Sequence, residues 1–116
     1  MTQYDGYFST CNMTKWEELR RLVLSIQPAA RPRFRSRHME TGHLSYWDDE
    51  WFYHFRDGGY ADIEYVELEF TQAIVPLFAS RLEAIGLVGV QHGYNLQIFG
   101  YLPHGTRALP LKIFAV

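Results

Sequence analysis

The sequence predicts an α+β fold: a single domain in which an antiparallel sheet of five to six strands carries two helices packed on one face, in the order α-β-β-β-α-β-β-β. Three observations predict it. Apolar residues recur at helical spacing in two segments, near 15–26 and 72–85. Alternating runs fill much of the remainder, near 42–70 and again from 87 to 115. Glycine-bearing turns, Asp57-Gly58-Gly59-Tyr60 and His92-Gly93, separate neighbouring runs at hairpin spacing, and hairpins build antiparallel sheets.

Taken in order, residues 1–13 show no period and form an N-terminal arm or short edge strand, leaving 14–116 as the domain proper. Thr14-Lys15-Trp16-Glu17 fits a capping box, in which the Thr14 hydroxyl takes an orphan amide and Glu17 reaches back to the cap. Trp16, Leu19, Leu22, Val23 and Ile26 then form the apolar stripe of a helix over about 15–26, stopped by Pro28. In Arg31-Pro32-Arg33-Phe34-Arg35-Ser36-Arg37 an extended chain projects all four Arg from one side. This row reads first as a hydrated basic edge, and otherwise as a contact for phosphate or an acidic partner.

Strands are expected near 42–47, 51–57 and 61–70, the last two joined across Gly58-Gly59. The alternation in the third slips by one at Tyr65-Val66, which predicts a β-bulge. The second helix spans about 72–85, although Pro76 is tolerable only in a first turn and so argues for a later start. Gly86 suits a left-handed helix end. Residues 87–91 and 94–101 form a hairpin across His92-Gly93, and a loop from Pro103 to Pro110 leads to a terminal strand over 111–115.

The 116 residues, 47% hydrophobic and 16% aromatic, suffice for a real core and argue against disorder. No apolar run approaches the ~20 residues a membrane helix needs, and the N-terminus lacks a secretory pattern. A single cysteine, Cys11, cannot form an internal disulfide and fits a reducing compartment, so a cytoplasmic location is expected. The net charge of −2 conceals a division. Seven of eleven basic residues lie between Lys15 and Arg37, and nine of thirteen acidic ones between Glu40 and Glu69. Nucleic-acid binders are usually net basic, so nucleic acid is not the expected partner.

Chemical motifs are sparse. One Cys and five scattered His make no zinc cluster, and the trio His54, Asp57 and Glu64 matches no standard ligand geometry. Ser45 and Ser80 lack a nucleophile motif, Cys11 has no evident base, and Gly58-Gly59 precedes no helix that would make a phosphate loop. No catalytic residue, cofactor or metal is expected. What stands out is the stretch from Trp47 to Phe70, where rings alternate with eight carboxylates. The carboxylates read first as a hydrated acidic face, His54 as a partly buried histidine, and Arg56 as the partner of Asp57 or Glu64. The rings of Trp47, Trp51, Tyr53, Phe55, Tyr60 and Tyr65 cannot all be core, because successive strand residues face opposite ways. Exposed rings among charges mark a recognition surface.

The segments Thr14-Lys15-Trp16-x-Glu18-Leu19-Arg20 and Trp47-Asp48-x-Glu50-Trp51-Phe52-Tyr53-His54-Phe55-Arg56-Asp57-Gly58-Gly59-Tyr60-x-Asp62-Ile63-Glu64 resemble a family of small bacterial proteins of unknown function. The resemblance covers residues 14 to about 101. It implies a bacterial, cytoplasmic single domain and carries over no chemistry. The leading expectation is a protein-binding module, of immunity or antitoxin type, that meets its partner through an acidic hairpin face. That face comprises Trp47, Asp48, Glu50, Trp51, Tyr53, His54, Arg56, Asp57, Tyr60 and Glu64. The alternative is a small-ligand binder or enzyme in which His54, Arg56, Asp57 and Glu64 converge on a pocket beside Trp51 and Tyr60. Monomer and homodimer are both open, since an unpaired terminal strand can join two copies.

Overall fold

A computed structural model describes residues 4–114. Helix α1 spans Met13–Leu24 and begins on Asn12, whose side-chain oxygen accepts the Lys15 N–H at 2.8 Å. The capping box at Thr14 therefore does not form. Asn is as good a cap as Thr, and Glu17 is drawn to Tyr60 and the arginines of its own helix instead. Trp16, Leu19 and Val23 turn inward as their spacing predicts, and so does Arg20. Arg31 closes the helix, donating from its guanidinium to the Leu24 and Ile26 carbonyls at 2.9 and 3.1 Å, where a cation suits the negative end of the helix.

Among the described residues six strands follow the α+β expectation in two antiparallel sheets. The larger has the order β2-β3-β5-β4, from Arg33–His38 (β2), Ile63–Glu69 (β3), Gly89–His92 (β4) and Asn95–Phe99 (β5). The smaller pairs Tyr7–Ser9 (β1) with Tyr101–Pro103 (β6). The N-terminal arm is thus held as a short strand, and Cys11 behind it is buried at 8% exposure rather than lying in an unstructured arm. Residues 1–3 of that arm lie outside the described residues.

The expected strands at 42–47 and 51–57 are absent, and so is the hairpin across Gly58-Gly59. Trp51 and Phe55 are both buried, while the three residues between them are exposed. A strand would put Tyr53 on the same face as Trp51 and Phe55, yet Tyr53 is exposed, so the segment winds instead of extending. Gly58 and Gly59, with φ of 78° and 80°, end this turn. The partner of β3 is the arginine row: Arg33, Arg35 and Arg37 stand opposite Glu69, Glu67 and Tyr65. Arg33 pairs with Glu69, Arg35 with Glu67 at 3.0 Å, and Arg37 with Glu64 at 3.1 Å. The basic and acidic halves of the sequence meet as a ladder on the outer face, and Arg31 leaves the row to close α1. The register slips between Arg37 and His38, opposite Ile63 and Tyr65. That places the bulge at Glu64, one residue before the expected slip.

Helix α2 is Pro76–Ala84, shortened at its start for the reason Pro76 gives, and Gly86 ends it at φ 82°. The β4–β5 turn is Gly93-Tyr94, one residue later than expected, since His92 stands opposite Asn95. The terminal segment forms no strand over its described part. It is tied by a Val88–Pro110 bridge and a 2.9 Å Leu111 N–H to Leu87 carbonyl bond, with Leu111 in the core; residue 115 lies outside the described residues.

One core joins Trp16, Leu19 and Val23 of α1, Phe78 and Leu82 of α2, and the inward residues Phe34, Val66, Leu68, Leu96 and Ile98 of the sheet. The opposite sheet face carries the charged ladder, so both helices share one side. Residues 44 and 48 bridge to the outer edge of β2, and Pro110 bridges Val88 just before β4, which shields the β2 edge and the start of the β4 edge. No helix among the described residues is long and apolar enough to cross a membrane.

Candidate functional site

The connection from β2 to β3, residues 39–62, carries most of the predicted site, and the rest of the molecule fixes its shape. Trp51 anchors it. Its ring is 1% exposed, its Nε1 donates to the Pro32 carbonyl at 2.8 Å, and it stacks on Phe55 at 4.6 Å between centroids. Arg20 anchors it from α1. The buried guanidinium donates to the Phe52 carbonyl at 2.6 Å and to the Trp51 carbonyl at 3.1 Å, and pairs with Glu17 at 2.8 Å. The other Glu17 oxygen accepts the Tyr60 hydroxyl at 2.6 Å. That bond holds the Glu17 carboxyl below its ordinary value, while burial, followed by the Glu17 bond, pushes the Tyr60 hydroxyl up. Trp51 and Tyr60 thus work as fasteners.

Two carboxylates shape the turn between these anchors. Glu50 accepts the backbone N–H groups of Phe52, Tyr53 and His54 at 3.1, 2.8 and 2.9 Å, as a helix cap would. The His54 and Tyr53 amides hold its carboxyl below the usual range. Asp48 accepts the Glu50 N–H at 2.8 Å and meets the His54 Nδ1 at 2.8 Å, and this bond raises the imidazole above 6.5. His54 is therefore an exposed, ion-paired residue, not the partly buried one expected. With their oxygens committed locally, Asp48 and Glu50 act as staples.

What the staples display is a tip of exposed rings. Tyr46 is 92% exposed, Tyr53 64% and Phe52 47%. Phe52 and Tyr53 meet edge to face at 4.7 Å, with Arg56 over both rings and Arg20 beneath Phe52 at 5.1 Å. Arg56 pairs with these rings and not with Asp57 or Glu64 as expected; a planar cation over exposed aromatics loses little hydration. Trp47 lies apart, its ring 4.5 Å from Arg35 and 5.5 Å from Arg33 on the ladder side.

A cleft of about 360 Å³ opens between this loop and β2. Its floor is Phe34, Phe55 and Ile63, its aromatic wall Tyr46 and Trp47, and its polar lining Ser36, His38, Ser45, Asp48, His54 and Asp57. The pocket predicted from His54, Arg56, Asp57 and Glu64 is thus half assembled: His54 and Asp57 reach the cleft, while Arg56 covers the tip rings and Glu64 pairs with Arg37. Glu64 also leaves the His54, Asp57 trio, and among the described residues no three His, Cys, Asp or Glu side chains converge as metal ligands. Sequence reasoning missed Ser36 and His38. Their signal was present, because the alternation that sends the arginines outward sends Phe34, Ser36 and His38 inward. Asp62, 3.3 Å from His38 Nδ1, also accepts the Tyr4 hydroxyl at 2.7 Å, which raises that hydroxyl's pKa. Arg20 had a positional signal, four residues after Trp16 and three before Val23 on the buried stripe of α1, but a charged residue there reads first as solvated.

No curated protein and no solved structure is significantly similar to the chain. A family model matches residues 1–105, which takes in every helix and strand through β6. The chain is a member of the family of unknown function DUF6678.

Proposed function

We propose that the protein is a protein-binding module whose contact surface is the tip of the β2–β3 connection. The observation that carries this reading is the pair Phe52 and Tyr53, exposed yet held on a backbone stapled by Glu50 and fastened by Arg20. Rings presented on a pre-ordered loop lose little entropy on binding, and aromatics flanked by Arg are the residues on which interface energy concentrates. Around them Asp48, Asp49, Glu50 and Asp57 outnumber Arg56, so the tip suits a basic partner and gains association rate from it. A small inhibitor of a basic toxin or nuclease, of immunity type, is the form of this reading that the charge favours.

The variants that test it avoid the staples. Phe52→Ser with Tyr53→Ser removes the rings, and Asp49→Lys reverses a charge that bonds to nothing among the described residues. Partners captured by the native protein would be purified and their binding kinetics followed at increasing salt. The ring variant is expected to release the partner faster, and Asp49→Lys to associate more slowly with a weaker salt dependence. Unchanged rates for both folded variants would refute the proposal. The cleft keeps a second reading in view, that of a site for a small cationic group.

A further inference from the structure

We infer that the cleft between the β2–β3 connection and β2 is a receptor for a guanidinium group, presented as an arginine side chain of the protein partner. This rests on the binding role of the adjoining tip and names the chemistry that would enter beside it. His54 and His38 each turn Nδ1 to a carboxylate, Asp48 at 2.8 Å and Asp62 at 3.3 Å. A carboxylate only accepts, so in the neutral ring the His54 Nδ1, which makes a hydrogen bond to Asp48, carries the proton and its Nε2 is left as an acceptor. The Asp57 carboxylate lines the same cleft and has no side-chain partner among the described residues. Ser36, 7% exposed on the inner face of β2, also lines it, and its hydroxyl donates to no group among the described residues.

The cleft is thus lined by the His54 and His38 imidazoles, a free carboxylate and the Ser36 hydroxyl, a set rich in acceptors, around an apolar floor. A ligand that fits must donate several hydrogen bonds, carry positive charge and bring an apolar stem. Guanidinium has five N–H donors in a plane and no acceptor, which matches a ring of acceptors better than the point charge of an ammonium. The carboxylates of Asp48 and Asp57, which line the cleft, supply the opposing charge. Nearby Arg33 and Arg35 do not cancel it, because Glu69 and Glu67 already neutralise them. An anion would meet the carboxylates of Asp48 and Asp57 there, and a neutral polyol would leave Asp57 without a cation.

The test is an NMR titration of the full chain with the amide of N-acetylarginine, at a pH where the His54 imidazole is neutral. The same compound built on citrulline, of the same shape without the charge, serves as control. Expected are shifts at Ser36, His38, His54 and Asp57, none of comparable size from the citrulline compound, and about tenfold weaker binding in Asp57→Asn. Ser36→Ala, which leaves the loop staples untouched, should also weaken binding. Equal shifts from both compounds, shifts that map elsewhere, or unchanged affinity in both variants would overturn the proposal. Tighter binding of free arginine than of the blocked compound would make the source a metabolite and overturn the partner assignment. The role of the tip is read separately, through Phe52 and Tyr53. A cleft that fails leaves that role standing, and a tip that fails does not alter the titration.

Discussion

Arg20→Met should loosen the whole β2–β3 connection from helix α1. Methionine keeps most of the apolar stem, so the change isolates the guanidinium. Arg20 is 5% exposed and serves three acceptors, namely the Phe52 carbonyl at 2.6 Å, the Trp51 carbonyl at 3.1 Å and Glu17 at 2.8 Å. A hydrogen bond to a charged group contributes roughly 1.5–3 kcal/mol, and the Phe52 carbonyl loses the best-placed one. The longer bond to Trp51 shares its donor with Phe52 and adds little. The Glu17 side chain is 28% exposed and keeps Arg21 and Tyr60, so that pair adds at most about 1 kcal/mol after solvent screening. Against these losses stands the relief of an arginine no longer buried. The net is about 2–3 kcal/mol, which for a domain of this size lowers Tm by about 8–12 °C.

Thermal and urea unfolding followed by circular dichroism would measure this change, with Arg20→Lys as a variant that retains charge but not the fork. Amide exchange should quicken across residues 51–60 more than in the β3–β5 ladder. A loss below about 1 kcal/mol, with exchange in the loop unchanged, would show that Trp51 and Phe55 hold the connection by packing alone. The account of a fastened binding tip would then lose its main support.

Three further outcomes are expected. Gly100→Ala should destabilise by about 1–3 kcal/mol in urea unfolding, because a Cβ there falls on the Ile63 carbonyl oxygen and beside the Trp16 ring, and neither can yield. The Cys11 thiol, pushed up to about 12 by burial, should resist a thiol reagent in the native protein and react at once in denaturant; rapid native labelling would contradict its placement. The His54 imidazole should titrate above 6.5 by NMR, and Asp48→Asn should return it towards that value. Because its folded pKa is raised, its contribution to stability is complete below 6.5 and is lost as pH rises through the folded value. Native protein should lose stability over that window, and Asp48→Asn should show no such slope.

Much of this molecule follows from local rules that any reader of the sequence can apply. The α+β class, the inward stripe of α1, the late start of α2 at Pro76, the left-handed Gly86 and the β4–β5 hairpin each rest on periodicity or on a single restricted backbone. Those signals are carried by residues a few positions apart. The segment from Asp48 to Asp57 shows where such reading stops. Its composition suits a strand, yet Trp51 and Phe55 both find room under α1, and Glu50 satisfies three amides that a strand would have paired.

Long-range pairing decided the rest. The arginine row and the acidic run are each plain in the sequence as one-sided rows, and only β2–β3 register shows that they neutralise one another. Helical spacing set Arg20 among Trp16, Leu19 and Val23, but what makes its burial tolerable is a carbonyl 32 residues away. The cleft has the same origin: Ser36 and His38 come from β2, His54 and Asp57 from the winding loop. The sequence by itself determined which segments coil or extend and which side chains are apolar, since backbone sterics and side-chain chemistry act between near neighbours. Only the tertiary structure decided which charges are spent on each other and which remain to meet a partner, because pairing at a distance depends on where the chain returns.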